Sequence, residues 1–141
     1  MVIRTFCLSD YVSVSALFQR ALSDECYEET KDAFARQLYW DSELVMIAEC
    51  DGNVVGSIIG TIHNNEGFFY RIAVDEAYRH QGIGKSLIHA LKGRFSQRNV
   101  VKMTLPMDRH NENLKGLYSS IGFDLTGILR TTDRLKIVSG T

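Results

Sequence analysis

The sequence has few of the residues that mark disulfide-rich, metal-binding or membrane proteins. Its three cysteines, Cys7, Cys26 and Cys50, are odd in number and far apart, so we expect neither a disulfide framework nor a zinc site. The four histidines form no His-Glu-x-x-His pattern, and no metal is expected. No apolar run is long enough to span a bilayer, and the N-terminus lacks a signal-peptide core. Together these absences predict a cytoplasmic protein.

An excess of charge of one sign is also lacking. The net charge is −1, so we expect neither a nucleic-acid partner nor a membrane surface as partner. What is present is a chain of 141 residues that is 45% apolar, which suits one domain with a sizeable core. Because no repeat, linker or low-complexity tract is visible, a single domain over residues 1–141 is expected.

Hydrophobic periodicity and turn signals predict a mixed α/β chain. Asp51-Gly52-Asn53 is a strong hairpin signal, residues 64–67 form a second turn, and Ser9 or Asp10 is expected to cap the first helix. The expected strands are 2–6, 44–49, 54–63, 68–74, 100–105, 124–129 and 133–138. The expected helices are 11–22, 28–40, 114–121 and a further helix that begins at the glycines Gly82 and Gly84 and ends near 97.

The stretch from Arg79 to Ser86 combines the features of a phosphate-binding turn. An apolar strand ends at Asp75, two glycines follow at Gly82 and Gly84, and a helical pattern begins at once. The first N–H groups of a helix have no partner within the helix, and the helix dipole adds positive charge there. Because glycine lets a pyrophosphate approach the backbone without meeting a Cβ atom, the stretch predicts a phosphate-bearing ligand.

Two common phosphate loops do not match this stretch. A Walker A loop needs a glycine where the sequence has Arg79, and the dinucleotide fingerprint needs a third glycine where it has Leu87. The pattern that does match is Arg/Gln-x-x-Gly-x-Gly/Ala, through Arg79, Gly82 and Gly84. It resembles the pyrophosphate loop of the GNAT N-acetyltransferase superfamily.

A second motif supports this resemblance. Residues 111–123 resemble the family signature Asn-x-x-Ala-x-x-Leu-Tyr-x-x-x-Gly-Phe, with Leu114 where alanine is usual. The resemblance covers essentially the whole chain. It implies a mixed, mostly antiparallel sheet of about seven strands with four helices, in the order β-α-α-β-β-β-α-β-α-β-β. It also implies acetyl-CoA-dependent transfer of an acetyl group, by direct attack, to a primary amine of a small molecule or of a protein.

The resemblance further implies where acetyl-CoA binds. The backbone of the fourth strand pairs with the pantetheine arm, while the amides of the glycine turn hold the pyrophosphate. The strand residues can also be plain core residues, and the two cations of the turn can be plain surface residues. The implied acetyl-CoA-binding residues are Ile72, Ala73 and Val74 in the strand, Arg79, His80, Gln81, Gly82, Ile83, Gly84, Lys85 and Ser86 in the turn, and Asn111 and Tyr118 in the second motif.

Tyr118 matches the family tyrosine that protonates the departing thiolate, and a phenol with an ordinary pKa of roughly 10 carries a proton at neutral pH. The alternative is a tyrosine packed in the core, and Asn111 is alternatively a helix N-cap. No general base is assigned, because the two usual glutamate positions hold Tyr70 and Pro106. The other candidates are Asp108, His63, Glu66 and His110, or a chain of waters.

Substrate recognition has one weak signal. Residues 23–32 contain five acids and one lysine, which either attract a cationic amine from a loop or occupy the first turns of a helix, and the second interpretation is favoured. Two rival functions are a non-catalytic acyl-CoA sensor and a nucleotide-binding protein; the missing Walker glycine argues against the latter. The sequence does not choose between a monomer and a homodimer.

Overall fold

The computed structural model describes residues 1–105, His110 and Leu117. These residues form three helices and five strands, with short 3₁₀ turns at Leu8–Asp10, Ser42–Leu44 and Glu76–Tyr78. Of the predicted helix 114–121 only Leu117 is described, and the predicted strands 124–129 and 133–138 lie outside the described residues. The elements are β1 (Val2–Thr5), α1 (Tyr11–Ala21), α2 (Asp24–Asp41), β2 (Val45–Cys50), β3 (Asn53–His63), β4 (Glu66–Val74), α3 (Ile83–Gln97) and β5 (Lys102–Thr104).

The five strands form one sheet in the order β1-β2-β3-β4-β5. The first three pairings are antiparallel and β4 pairs with β5 in parallel. The mixed, mostly antiparallel sheet expected from the sequence is therefore confirmed, with five strands and three helices in the described part of the chain.

Two-residue turns join the central strands. Asp51 and Gly52 have φ of 50° and 80°, and Asn64 and Asn65 have φ of 49° and 64°. Positive φ at both central residues is the type I′ geometry, which matches the twist of the flanking strands. Since these turns need only two residues, Asn53 belongs to β3, and β4 begins two residues before the predicted position 68.

The second helix begins earlier than predicted because it has a good cap. The Ser23 hydroxyl accepts a hydrogen bond from the Cys26 N–H at 3.2 Å, so α2 starts at Asp24 rather than at 28. The acidic stretch is therefore helical, with Asp24 and Glu25 in the first turn. This places negative charge where the helix dipole favours it.

The cap predicted for the first helix is wrong. Asp10 lies at the N-cap position of α1, but its carboxylate makes no capping bond with the helix. It accepts instead from the Cys7 N–H at 2.8 Å and from two nitrogens of Arg4 at 2.7 and 2.9 Å. A partly buried bidentate ion pair has taken the place of the cap.

Apolar side chains pack on both faces of the sheet. One cluster joins the sheet to α3, and the other joins it to α1 and α2. The predicted inward residues of α3 are buried as expected: Leu87, Ile88, Leu91 and Phe95 are each 0% exposed. In the part of the chain that the structure describes, no helix has the length and apolar character needed to cross a membrane.

Candidate functional site

Most of the predicted ligand-binding residues surround one cavity of about 800 Å³ between the end of β4 and the start of α3. Gln81 and Ser86 do not line it, and Asn111 and Tyr118 lie outside the described residues. The cavity is completed by the end of α1 and by two residues from the C-terminal part of the chain. Its lining is Ile72, Ala73, Val74, Arg79, His80, Gly82, Ile83, Gly84 and Lys85 from the predicted set, with Ala21, Leu22, Tyr78, His110 and Leu117.

The end of β4 borders this cavity. On one edge, β4 pairs with β3 from Glu66 to Val74. On the edge toward β5, pairing extends only from Glu66 to Phe68 within residues 1–105. Further along β4, Ile72, Ala73 and Val74 line the cavity, where an extended ligand can lie alongside the strand.

The chain turns sharply between β4 and α3. Arg79 Nε donates to the Val74 carbonyl at 3.1 Å, which folds the turn back onto the strand. His80 and Gly82 have φ of 65° and 82°. A Cβ atom at Gly82 would meet nothing within 4 Å, so the glycine is required by its backbone conformation and not by crowding.

Asp75 holds the start of this turn in place. Its carboxylate accepts from the Ala77 N–H at 3.1 Å and pairs with Arg20 of α1 at 2.9 Å. The hydrogen bond from Ala77, followed by that from Arg20, holds the pKa of the Asp75 carboxyl below its ordinary value. The turn is thus fastened to both β4 and α1.

The N-terminus of α3 opens into the cavity. The Ser86 N–H and hydroxyl both donate to the Gly82 carbonyl at 3.1 Å, so that amide is engaged in the first turn of the helix. The N–H groups of the three preceding helical residues, 83–85, have no acceptor within the helix. Together with the dipole and the exposed Arg79 and Lys85, they suit a pyrophosphate.

Gly84 has a different role from Gly82. A Cβ atom at Gly84 would lie 3.1 Å from Cδ2 of Leu117 and 3.7 Å from Cδ1 of Ile72. Leu117 is the one described residue of the second motif. Gly84 therefore lets α3 pack closely against that segment beside the cavity.

A bulge in β4 brings two adjacent side chains to the same face. Ile59 pairs with Arg71 and Gly60 pairs with Phe69, so Tyr70 is the extra residue. Tyr70 packs in the α1/α2 cluster, and Arg71, only 2% exposed, donates from Nε to the Thr30 hydroxyl of α2 at 3.1 Å. At the first usual position of the base, β4 therefore presents a tyrosine beside a buried cation.

A carboxylate reaches the cavity region from α2. Oε2 of Glu29 lies 3.2 Å from Nε2 of His110, and the two side chains are 11% and 10% exposed. His110 is one of the candidate bases, whereas Glu29 was predicted only as one of the acids of the stretch 23–32. The available signal was the inward stripe of α2, Cys26, Thr30, Ala33, Phe34 and Gln37, beside which Glu29 lies.

The other candidate bases lie elsewhere or outside the description. His63 and Glu66 pair across the β3–β4 turn at the opposite end of β4 from the cavity, and neither lines it. The Glu66 carboxylate accepts a hydrogen bond from the Thr104 hydroxyl. Asp108 lies outside the described residues. Among the residues that the structure describes, no group of three or more His, Cys, Asp or Glu side chains is placed to hold a metal ion.

Comparisons with known proteins agree with this architecture. The sequence model of the GNAT acetyltransferase family matches residues 12–123. A curated acetyltransferase of Pectobacterium atrosepticum is 27% identical over 135 residues, which cover 96% of this chain and 96% of that protein.

Two solved structures show the same fold. The ribosomal-protein-S18-alanine N-acetyltransferase of Escherichia coli superposes with a TM-score of 0.69 at 25% identity, covering 87% of this chain and 77% of that one. The PaiA N-acetyltransferase of Thermoplasma acidophilum, solved in complex with coenzyme A, has a TM-score of 0.67 at 20% identity and covers 94% and 92%.

Proposed function

Because the chain belongs to the GNAT acetyltransferase family, we propose that it transfers the acetyl group of acetyl-CoA to the nitrogen of a primary amine. We propose further that residues 1–141 act as one N-acetyltransferase domain. The observation that carries the proposal is that the end of β4, from Ile72 to Val74, and the N-terminus of α3 with its nearby cations line one cavity.

The fit to acetyl-CoA follows from these two features. An extended pantetheine arm can pair with β4 as an added strand does, through backbone groups of Ile72 to Val74. A pyrophosphate suits the free N–H groups of 83–85 and the positive charge of Arg79 and Lys85. Bound acetyl-CoA supplies the acetyl group as a reactive thioester.

The residues of the chain then have three tasks. A backbone N–H of β4 near Val74 polarises the acetyl carbonyl. The second motif supplies Asn111, which contacts the arm, and Tyr118, whose hydroxyl protonates the departing thiolate. A nitrogen acceptor is supported by the name of the E. coli relative, an alanine N-acetyltransferase. Small-molecule amines and protein amines are both retained as acceptor classes.

The test is release of CoA thiol from acetyl-CoA over a panel of polyamines, amino acids, aminoglycosides and short peptides. We expect turnover on one amine class, and we expect Tyr118→Phe to lower kcat roughly a hundredfold while acetyl-CoA binding is nearly unchanged. Tyr39→Phe is the matched control, because Tyr39 is 82% exposed on α2 and should retain wild-type kcat.

Two results would contradict the proposal in different ways. Tight binding of acetyl-CoA without turnover of any amine would favour a non-catalytic acyl-CoA sensor. Absence of acetyl-CoA binding would remove the assignment of the glycine turn as a pyrophosphate site.

A further inference from the structure

We propose that Arg79 is a positioning residue, which aligns the end of β4 with the N-terminus of α3 through the hydrogen bond that its Nε–H donates to β4. In this role Arg79 holds the two parts of the cavity, the strand for the arm and the helix amides for the diphosphate, at the separation that one ligand needs. The inference rests on the proposed function and assigns Arg79 a task within it beyond the supply of positive charge.

The backbone of β4 has a defined orientation beside the cavity. The Asp75 N–H donates to the Val55 carbonyl of β3 at 2.8 Å, and Val74 lies opposite Gly56. In an antiparallel ladder the backbone groups of successive residues point to opposite edges of the strand. The N–H and C=O groups of Val74, and those of Ile72 two residues earlier, therefore point away from β3.

Arg79 engages one of these groups. Its Nε donates to the Val74 carbonyl at 3.1 Å, and Arg79 lines the cavity together with Ile72 and Val74. The peptide group between Val74 and Asp75 is thus held at both ends, since its N–H is bonded to β3 and its C=O to Arg79. The carbonyl that an N–H of the arm can reach without displacing Arg79 is therefore that of Ile72.

The same hydrogen bond determines where α3 begins relative to β4. Gly82, the N-cap of α3, follows Arg79 by three residues, and the bond to Val74 closes the turn between strand and helix. Asp75 fastens the first part of this turn to α1, whereas Arg79 fastens its later part to β4. The N–H groups of 83–85 consequently lie in a fixed position relative to the end of the strand.

A ligand that occupies two subsites at once is sensitive to their relative position. When both of its ends fit, the second contact forms within one complex and adds to the affinity without a second association cost. In acetyl-CoA the arm and the diphosphate are two such contacts. Loss of the Arg79 hydrogen bond should therefore weaken a ligand that spans both subsites more than a ligand that occupies the helix N-terminus alone.

Two uncharged variants separate the hydrogen bond of Arg79 from its charge. Glutamine carries its amide nitrogen on Cδ, the atom that carries Nε in arginine, so Arg79→Gln keeps a donor at that position. Methionine is of similar length and has no N–H in its side chain. Because both variants lack the charge, a difference between Arg79→Gln and Arg79→Met measures the hydrogen bond.

The test is the Kd of each variant for acetyl-CoA and for 3′-phospho-ADP, measured by NMR titration. The second ligand is the nucleotide end of CoA, which keeps the diphosphate and lacks the arm. We expect Arg79→Met to bind acetyl-CoA about fivefold to tenfold more weakly than Arg79→Gln, which is the value of one hydrogen bond. For 3′-phospho-ADP the two variants should agree within about twofold, because that ligand does not contact β4.

Two further variants are controls. Arg36 is exposed on α2 and does not line the cavity, so Arg36→Met should bind both ligands as the wild type does. Lys85 is the other exposed cation of the turn, and Lys85→Gln removes charge without removing a bond to β4. It should weaken both ligands by the same factor, since each carries the diphosphate.

The outcomes distinguish this inference from the function on which it rests. Equal acetyl-CoA Kd values for Arg79→Met and Arg79→Gln would overturn the role of the hydrogen bond and leave the transferase assignment in place. The same loss with both ligands would mean that the bond supports the turn alone, which would overturn the alignment. If the wild type binds acetyl-CoA but not 3′-phospho-ADP, the turn is not a diphosphate site and the inference fails. If the wild type does not bind acetyl-CoA, the proposed function itself fails.

Discussion

Gly82 has a φ of 82° and free space where a Cβ atom would stand. Any loss in the free energy of unfolding when Gly82 is replaced therefore comes from the backbone conformation alone. We predict that Gly82→Ala lowers the free energy of unfolding by about 1 kcal/mol, because alanine disfavours the left-handed conformation. Gly93, inside α3, also has nothing within 4 Å of its Cβ position but lies in regular helix. Gly93→Ala should therefore raise the free energy of unfolding, by about 0.5–1 kcal/mol.

Urea unfolding of both variants measures whether the two substitutions change the free energy of unfolding in opposite directions. Equal effects of the two substitutions would show that the positive φ of Gly82 is not maintained in solution. Binding of acetyl-CoA to Gly82→Ala is a second readout, because a changed turn would alter the direction of the α3 amides.

At the scale of elements, the Arg4–Asp10 pair fastens β1 to the turn that leads into α1. Asp10 is 7% exposed, and hydrogen bonds from Arg4 lower the pKa of its carboxyl from the ordinary value of 3.8. A carboxyl whose pKa is lowered by folding stabilises the protein above about pH 4, and this contribution is lost as the pH falls through the lower folded value.

We predict that Asp10→Asn lowers the free energy of unfolding by about 2 kcal/mol at neutral pH. The difference from wild type should become smaller at about pH 3, since below its ordinary pKa the carboxyl takes up a proton in the unfolded chain and the advantage of the folded pair is reduced. Urea unfolding at the two pH values measures it. Asp51→Asn, an exposed position in the β2–β3 turn that asparagine also tolerates, is the control. A difference that does not depend on pH would contradict an ionic role for Asp10.

The packing of α3 on the sheet depends on small residues in the strands. A Cβ atom at Gly67 of β4 would lie 2.8 Å from Cδ2 of Phe95, closer than atoms in contact allow. We predict that Gly67→Ala costs about 1–3 kcal/mol in the free energy of unfolding by overpacking. Added to Phe95→Leu, it should cost less than it does alone, because the smaller side chain leaves room for the methyl group.

A double-mutant cycle measures this coupling. Gly67→Ala combined with Leu17→Val, in the cluster on the other face of the sheet, is the control and should be additive. Additivity in the Phe95 cycle would mean that Gly67 is not required by contact with α3.

At the scale of the whole molecule, local signals predicted most of the described elements. The period of Leu87, Leu91 and Phe95 and the Asp51-Gly52 turn are both determined within a few residues, and the structure confirms them. The exact starts of β3, β4 and α2 were missed by one to four residues, since type I′ turns and the Ser23 cap depend on single backbone and side-chain bonds.

One part of the candidate site could be predicted from local sequence, and another part depends on the fold. The glycine turn and the end of β4 are contiguous in sequence, so their convergence on one cavity could be predicted. Glu29 and His110 are far apart in the chain and meet only through the fold, as do Thr30 and Arg71. The bulge at Tyr70, which brings Tyr70 and Arg71 to one face, also has no local signature.

Amide hydrogen exchange with and without acetyl-CoA tests the central claim most directly. The account predicts slower exchange at two places, the end of β4 between 72 and 74 and the first turn of α3, with no change at the Asn64-Asn65 turn. ATP should not produce the β4 effect, because it has a phosphate chain but no pantetheine arm. Protection of α3 alone, or the same pattern with ATP, would contradict binding of acetyl-CoA along β4.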